Sequence, residues 1–177
     1  MRKLRTIEMQ RLTIEQFRQA DKLPLVVVLD NVRSLYNVGS IFRTCDAFRI
    51  EALYLCGITA TPPHPEVHKT ALGAEDSVTW QHFEKTEDAV AQLQQRGYRV
   101  CAIEQAEGAD NLLTMPQQSQ PTAVVLGNEV KGVQQHIVDQ CDACIEIPQY
   151  GTKHSLNVAI TAGIVIWEYA KPFFMHA

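Results

Sequence analysis

Three stretches of this sequence place glycines, amides and charged side chains where they could do chemistry. The first, residues 31–48, reads NVRSLYNVGSIFRTCDAF. Its Arg43 carries a guanidinium, a group able to hold a phosphate through two hydrogen bonds and charged at any relevant pH. Spacing alone also allows an ion pair with Asp46, three residues on. Asn37 is placed to cap a helix whose buried face is Val38, Ile41, Phe42, Cys45 and Phe48. Gly39, in the first turn, permits close approach by another backbone or a ligand. The second stretch, 126–132, reads LGNEVKG. Its two glycines free backbone N–H groups to cradle a ligand, and Glu129 adds a carboxylate. Val133 and Gln134 stand where a P-loop needs lysine and a hydroxyl residue, so phosphate binding of that kind is excluded. A plain turn before a helix over 133–139 is the simpler use of the same residues. The third stretch, 147–158, reads IPQYGTKHSLNV. Pro148 ends a strand, Gly151 turns the loop, and Ser155 is a natural N-cap. Asn157 begins an otherwise apolar helix, where its amide needs a partner.

These stretches need a scaffold, and the rest of the pattern supplies one. Short β-branched runs alternate with helical periodicity, as in an α/β fold with a mainly parallel sheet flanked by helices. Residues 25–29 (LVVVL) form a continuous apolar run, the mark of a strand covered on both faces. Further strands are expected at 52–56, 77–83, 98–103, 122–126 and 143–147, with a helix at 86–96. Each of the three polar stretches follows a strand, which is where α/β proteins place their sites. The Pro-rich segment 61–65 reads as a loop. The last helix, 156–171, is apolar around nearly its whole circumference and therefore needs cover on every side. A second subunit is the expected source of some of it.

Composition narrows the class. The length of 177 residues fits one domain, read as a short N-terminal extension over 1–24 and a domain over 25–177. Net charge is -4, so nucleic-acid binding by bulk charge is excluded and any RNA must meet a local concentration of Lys and Arg. Arg2, Lys3, Arg5, Arg11 and Arg18 are one candidate for it. Five scattered cysteines, with Cys45, Cys56 and Cys101 in apolar surroundings, fit a reduced cytoplasmic compartment. No signal peptide is evident, and the last apolar run is short and interrupted for a membrane span. His64 and His68 lack the HExxH pattern and Cys141–Cys144 is a lone pair, so no metal site is expected. No dinucleotide fingerprint follows a strand, and no serine sits in a nucleophile elbow.

Taken together, the three stretches resemble the SpoU/TrmH family of the SPOUT superfamily. The family motif N-x-G-(A/S)-I-x-R-T-(A/C)-D-A-F matches Asn37 to Phe48. L-G-x-E-x-x-G matches Leu126 to Gly132, and I-P with a later S-L-N-V matches Ile147, Pro148 and Ser155 to Val158. The resemblance runs from about Leu25 to Tyr169. It implies an α/β sheet with a C-terminal trefoil knot, a homodimer, and transfer of a methyl group from S-adenosylmethionine to a ribose 2′-hydroxyl of tRNA or rRNA. Catalytic roles then fall on Asn37, Arg43, Glu129, Ser155 and Asn157. Cofactor contacts fall on Gly127, Ile147, Leu156 and Ser155, with Ile103, Leu126 and Asn128 beside them. Arginine does not lose its proton in water near neutral pH, so Arg43 is read as a phosphate clamp, with the general base unassigned. Two positions depart from the family pattern: Ala159 follows S-L-N-V where serine is frequent, and Arg49 follows Phe48 where glycine is usual. A non-catalytic RNA-binding protein of the same fold and a nucleobase methyltransferase are the alternatives.

Overall fold

Residues 25–29 are buried to 0–1% exposure, and the alternation of their side chains divides the core in two. Leu25, Val27 and Leu29 point into one cluster, Val26 and Val28 into the other. Such a strand needs helices on both faces. The computed structural model, which describes residues 1–116 and 120–175, supplies them. In chain order the elements are α1 (Ile14–Gln19), β1 (Leu23–Asp30), α2 (Leu35–Ala47), β2 (Ile50–Cys56), α3 (Pro65–Ala71) and α4 (Ala74–Ser77). Then come β3 (Trp80–Phe83), α5 (Thr86–Gln95), β4 (Arg99–Ile103), β5 (Asp110–Asn111), β6 (Thr122–Leu126), α6 (Gln135–Val138), β7 (Ala143–Glu146) and α7 (Val158–Met175). The seven strands form one sheet in the order β3-β2-β1-β6-β4-β7-β5, parallel at every pairing. Helices α2 and α7 cover one face with Val38, Ile41, Phe42, Val165 and Ile166; α5 and α6 cover the other with Ala89, Val90, Leu93 and Ile137.

Several local expectations shift. The α2 helix begins earlier than Asn37: Ser34 is the cap, its hydroxyl accepting the Asn37 N–H at 3.3 Å. The amide of Asn37 is thereby left for other work. The last helix starts at Val158, not Leu156, and Asn157 rather than Ser155 caps it, its Oδ1 accepting the N–H groups of Ala159 at 2.9 Å and Ile160 at 3.3 Å. Of the strand expected at 77–83 only Trp80–Phe83 forms, because Ser77 closes the short helix α4 opened by Gly73. The helix expected at 133–139 is the single turn Gln135–Val138. Helix α3 was hidden by the prolines before it, although Pro65 occupies the first helical turn, where a missing N–H costs nothing.

Two histidines and a glycine find structural uses. His64 caps α3 by accepting the Glu66 N–H, and His68 pairs with Glu75 at 2.5 Å. At Gly39 the neighbour is a backbone, not a ligand. A Cβ there would stand 2.2 Å from the Val67 carbonyl oxygen and from Thr70 Oγ1, so α2 and α3 pack at a distance only glycine permits. Arg49 adopts φ 48°, a left-handed conformation that glycine takes freely, and its guanidinium lies over the Phe174 ring at 4.9 Å.

Candidate active site

The carboxyl ends of β4, β6 and β7 open into a cleft of about 620 Å³. That size suits a small-molecule ligand, and the position is the one parallel α/β sheets favour. The cleft is lined by every residue to which cofactor contact was assigned: Ile103, Leu126, Gly127, Asn128, Ile147, Ser155 and Leu156. Glu129 and Asn157 line it too.

Between β6 and α6 the chain turns back on itself. Asn128 and Gly132 exchange backbone hydrogen bonds at 3.0 and 2.8 Å, and Gly132 takes φ +68°. A Cβ on Gly127 would meet the Gly132 carbonyl carbon at 2.0 Å, and one on Gly132 would meet Glu104 Oε2 at 2.0 Å. Both glycines are therefore required by the turn itself. Asn128 is spent inside it: Oδ1 accepts from the Val130 and Lys131 N–H groups, and Nδ2 donates to the Asn31 carbonyl at 2.8 Å. Glu104, at the end of β4, accepts the Val133 N–H at 3.0 Å. Deeper still, fully buried Asp30 accepts from Thr86 Oγ1 at 2.6 Å, from Asn31 Nδ2 at 2.8 Å, and from Gln134 N and Nε2 at 3.1 and 3.0 Å. Four donors compensate the desolvated carboxylate and tie this turn to β1.

The three polar stretches meet through one relay. The Glu129 carboxylate accepts from Arg33 N at 3.0 Å, Ser34 N at 2.9 Å and Asn37 Nδ2 at 3.0 Å. Asn37 Oδ1 then accepts from Asn157 Nδ2 at 3.1 Å. Partial desolvation pushes the Glu129 carboxyl up, but the N–H groups of Arg33, Asn37 and Ser34 outweigh it and hold the group below its ordinary value. Glu129 is thus an anion whose carboxylate fixes both the start of α2 and the amide of Asn37.

Arg43 stands apart. It is exposed on α2, does not line the cleft, and makes no ion pair among the described residues. The alternative partner, Asp46, instead accepts from the Ser77 hydroxyl at 2.5 Å. Ser155, exposed and not needed as a cap, lines the cleft. Sequence reasoning missed Glu104, Gln105, Lys131 and His154 in the lining. For Glu104 and Gln105 the signal was present, since they follow β4 directly.

The fold and the cleft define a class: a parallel α/β protein that holds a small ligand in backbone loops beside a fixed amide–carboxylate relay. Residues 24–167 match the SpoU rRNA Methylase family, and the chain belongs to it. The tRNA (guanosine(18)-2′-O)-methyltransferase of Aquifex aeolicus is 34% identical over 157 residues, which are 85% of this chain and 69% of that protein. The 23S rRNA (guanosine-2′-O-)-methyltransferase of Pseudomonas aeruginosa is 29% identical over 89% of this chain and 62% of its own length. Among solved structures, the AdoMet-bound rRNA methyltransferase of Sinorhizobium meliloti superposes with a TM-score of 0.80 at 29% identity, covering 87% of this chain and 61% of that one. This chain thus spans roughly three fifths to two thirds of the length of these relatives.

Proposed function

We propose that this protein transfers a methyl group from S-adenosylmethionine to a ribose 2′-hydroxyl of tRNA or rRNA. The observation that carries the reading is the relay Glu129–Asn37–Asn157, which joins all three family motifs at the mouth of one cleft. The relatives' names, two guanosine-2′-O-methyltransferases and an AdoMet-bound enzyme, support it.

The residues present fit such a cofactor. Ile103, Leu126, Ile147 and Leu156 give the cleft apolar walls, and the glycine turn brings backbone close to its floor. When bound, the cofactor would supply a sulfonium methyl as the electrophile for the ribose oxygen. The chain's own contribution is placement. With Glu129 ionised, Asn37 is held in one orientation and Asn157 is fixed at the head of α7, so neither amide has to be ordered when RNA arrives.

Arg43 is assigned to the phosphate next to the target ribose. Because it lies outside the cleft of its own protomer, we place it there across a homodimer. The dimer is supported by α7, which leaves Ile160, Ile164 and Trp167 at 57%, 37% and 54% exposure at successive turns. By length and composition α7 would also cross a membrane, but Val158, Ala162, Val165, Ile166 and Ala170 pack on the sheet. The path after β7 supports a C-terminal trefoil knot: residues 147–157 pass the end of β4, where Gln105 Nε2 holds the His154 carbonyl, and reach α2 through Asn157. A cytoplasmic setting is supported by the five cysteines, which are all free.

Calorimetric titration with S-adenosylmethionine and a radiolabel transfer assay on RNA from cells lacking the gene test the reading. Arg43→Ala is expected to lower transfer by at least about 10²-fold while cofactor affinity stays within about twofold. Equal loss of both misassigns Arg43. Nuclease digestion and mass spectrometry must find the methyl on ribose; finding it on a base overturns the assignment.

A further inference from the structure

A chain of net charge -4 that acts on RNA must hold phosphates with a few well-placed cations. The N-terminal candidates are largely committed elsewhere. Arg2 and Arg5 both pair with Glu8, and Arg18 donates to the Asp76 carbonyl. Around the cleft the pattern reverses. Lys131 lies in the glycine turn and lines the cleft; Lys153 lies in the loop that follows β7, next to His154, which lines it too. Both lysines are exposed, and neither forms an ion pair among the described residues. The two carboxylates in the lining form no ion pair with them. Glu129 is engaged by Arg33, Ser34 and Asn37, and Glu104 by Val133 and Gln105.

Tyr150, on the same loop as Lys153, is 89% exposed. It makes no hydrogen bond or ring contact among the described residues, while its neighbour Gln149 lines the cleft. An aromatic ring left bare on a loop costs hydrophobic free energy in the free protein. With Lys153 on its own loop and Lys131 in the cleft lining, it gives this edge of the cleft the composition of a single-strand RNA platform, in which lysines take phosphates and the ring takes a base.

We propose that Lys131, Lys153 and Tyr150 form the RNA-holding lip of the site, the lysines on phosphates flanking the target ribose and Tyr150 stacked on a base in an unpaired segment. This rests on the methyltransferase reading and deepens it, since it makes the substrate a loop or bulge rather than continuous duplex.

The test measures binding of labelled bulk tRNA and ribosomal RNA, from cells lacking the gene, to the full-length protein across a salt series. Lys131→Ala and Lys153→Ala should each weaken binding and reduce the slope of log affinity against log salt by about 0.7–0.9. Tyr150→Ala should weaken binding by about tenfold with the slope unchanged, and Tyr150→Phe should restore it, because stacking needs the ring and not the hydroxyl. Cofactor affinity should stay the same in Lys153→Ala and in both Tyr150 variants, whose residues do not line the cleft. RNA affinity unchanged in Tyr150→Ala, or a larger slope change in Arg2→Ala than in Lys153→Ala, overturns the proposal. So does wild-type protein that binds neither RNA. Wild-type protein that binds RNA by this lip but transfers no methyl group would instead sink the methyltransferase reading and leave the lip standing.

Discussion

Glu129 accepts three N–H donors that come from a different part of the chain, so its ionisation is coupled to the position of α2. Its folded-state carboxyl lies below its ordinary value. The stability it contributes is therefore fully present above the unfolded value, about pH 4.3, and is lost as pH falls through the lower folded one. Glu129→Gln should lower Tm at pH 7, with the gap to wild type closing as the pH drops below 4; a gap that persists there would mean the charge is not what matters. Tyr169 is the opposite case, a phenol oxygen buried with no hydrogen-bond partner among the described residues. Tyr169→Phe removes that cost and should raise stability by about 1 kcal/mol, a Tm gain of roughly 2–4 °C. A loss of stability would reveal a partner for the hydroxyl. Neither effect was legible in the sequence, because both depend on groups that only the fold brings near or keeps away. Arg43 was legible as a candidate, and its isolation from the cleft was not.

At the scale of elements, α2 is held at its start and along its side. Ser34 and Glu129 fix its start, while Gly39 lets α3 approach to contact distance. Gly39→Ala should destabilise the protein by about 1–3 kcal/mol, since the added methyl meets a backbone carbonyl that cannot step aside. Chemical denaturation would measure it, and a neutral result would mean the two helices separate easily. Strands were read well because β-branched runs buried on two faces announce themselves: the strand at 122–126 was placed to the residue. The starts of α2 and α7 were read poorly, although α5 begins at Thr86 as expected. Capping residues recur within three positions of one another, and choosing Ser34 over Asn37 or Asn157 over Ser155 takes knowledge of which side chain has another partner.

The whole molecule leaves one part of α7 uncovered. Ile160, Ile164 and Trp167 are exposed while the opposite side of the same helix is core. If a second copy covers them, Trp167→Glu should give a monomer in sedimentation velocity, binding S-adenosylmethionine but failing in transfer. A wild-type protein that sediments as a monomer at working concentration would remove both the dimer and the shared placement of Arg43.

Residue order alone determined the layered α/β plan, since continuous apolar runs and interposed amphipathic helices allow little else. It also marked the three loops that meet at the cleft, because polar stretches directly after parallel strands lie at the carboxyl edge of the sheet. Tertiary structure decided which of those groups touch. The relay from Glu129 to Asn37 to Asn157 spans 92 and 120 positions of sequence separation, and the register of parallel strands, not local pattern, closes those distances.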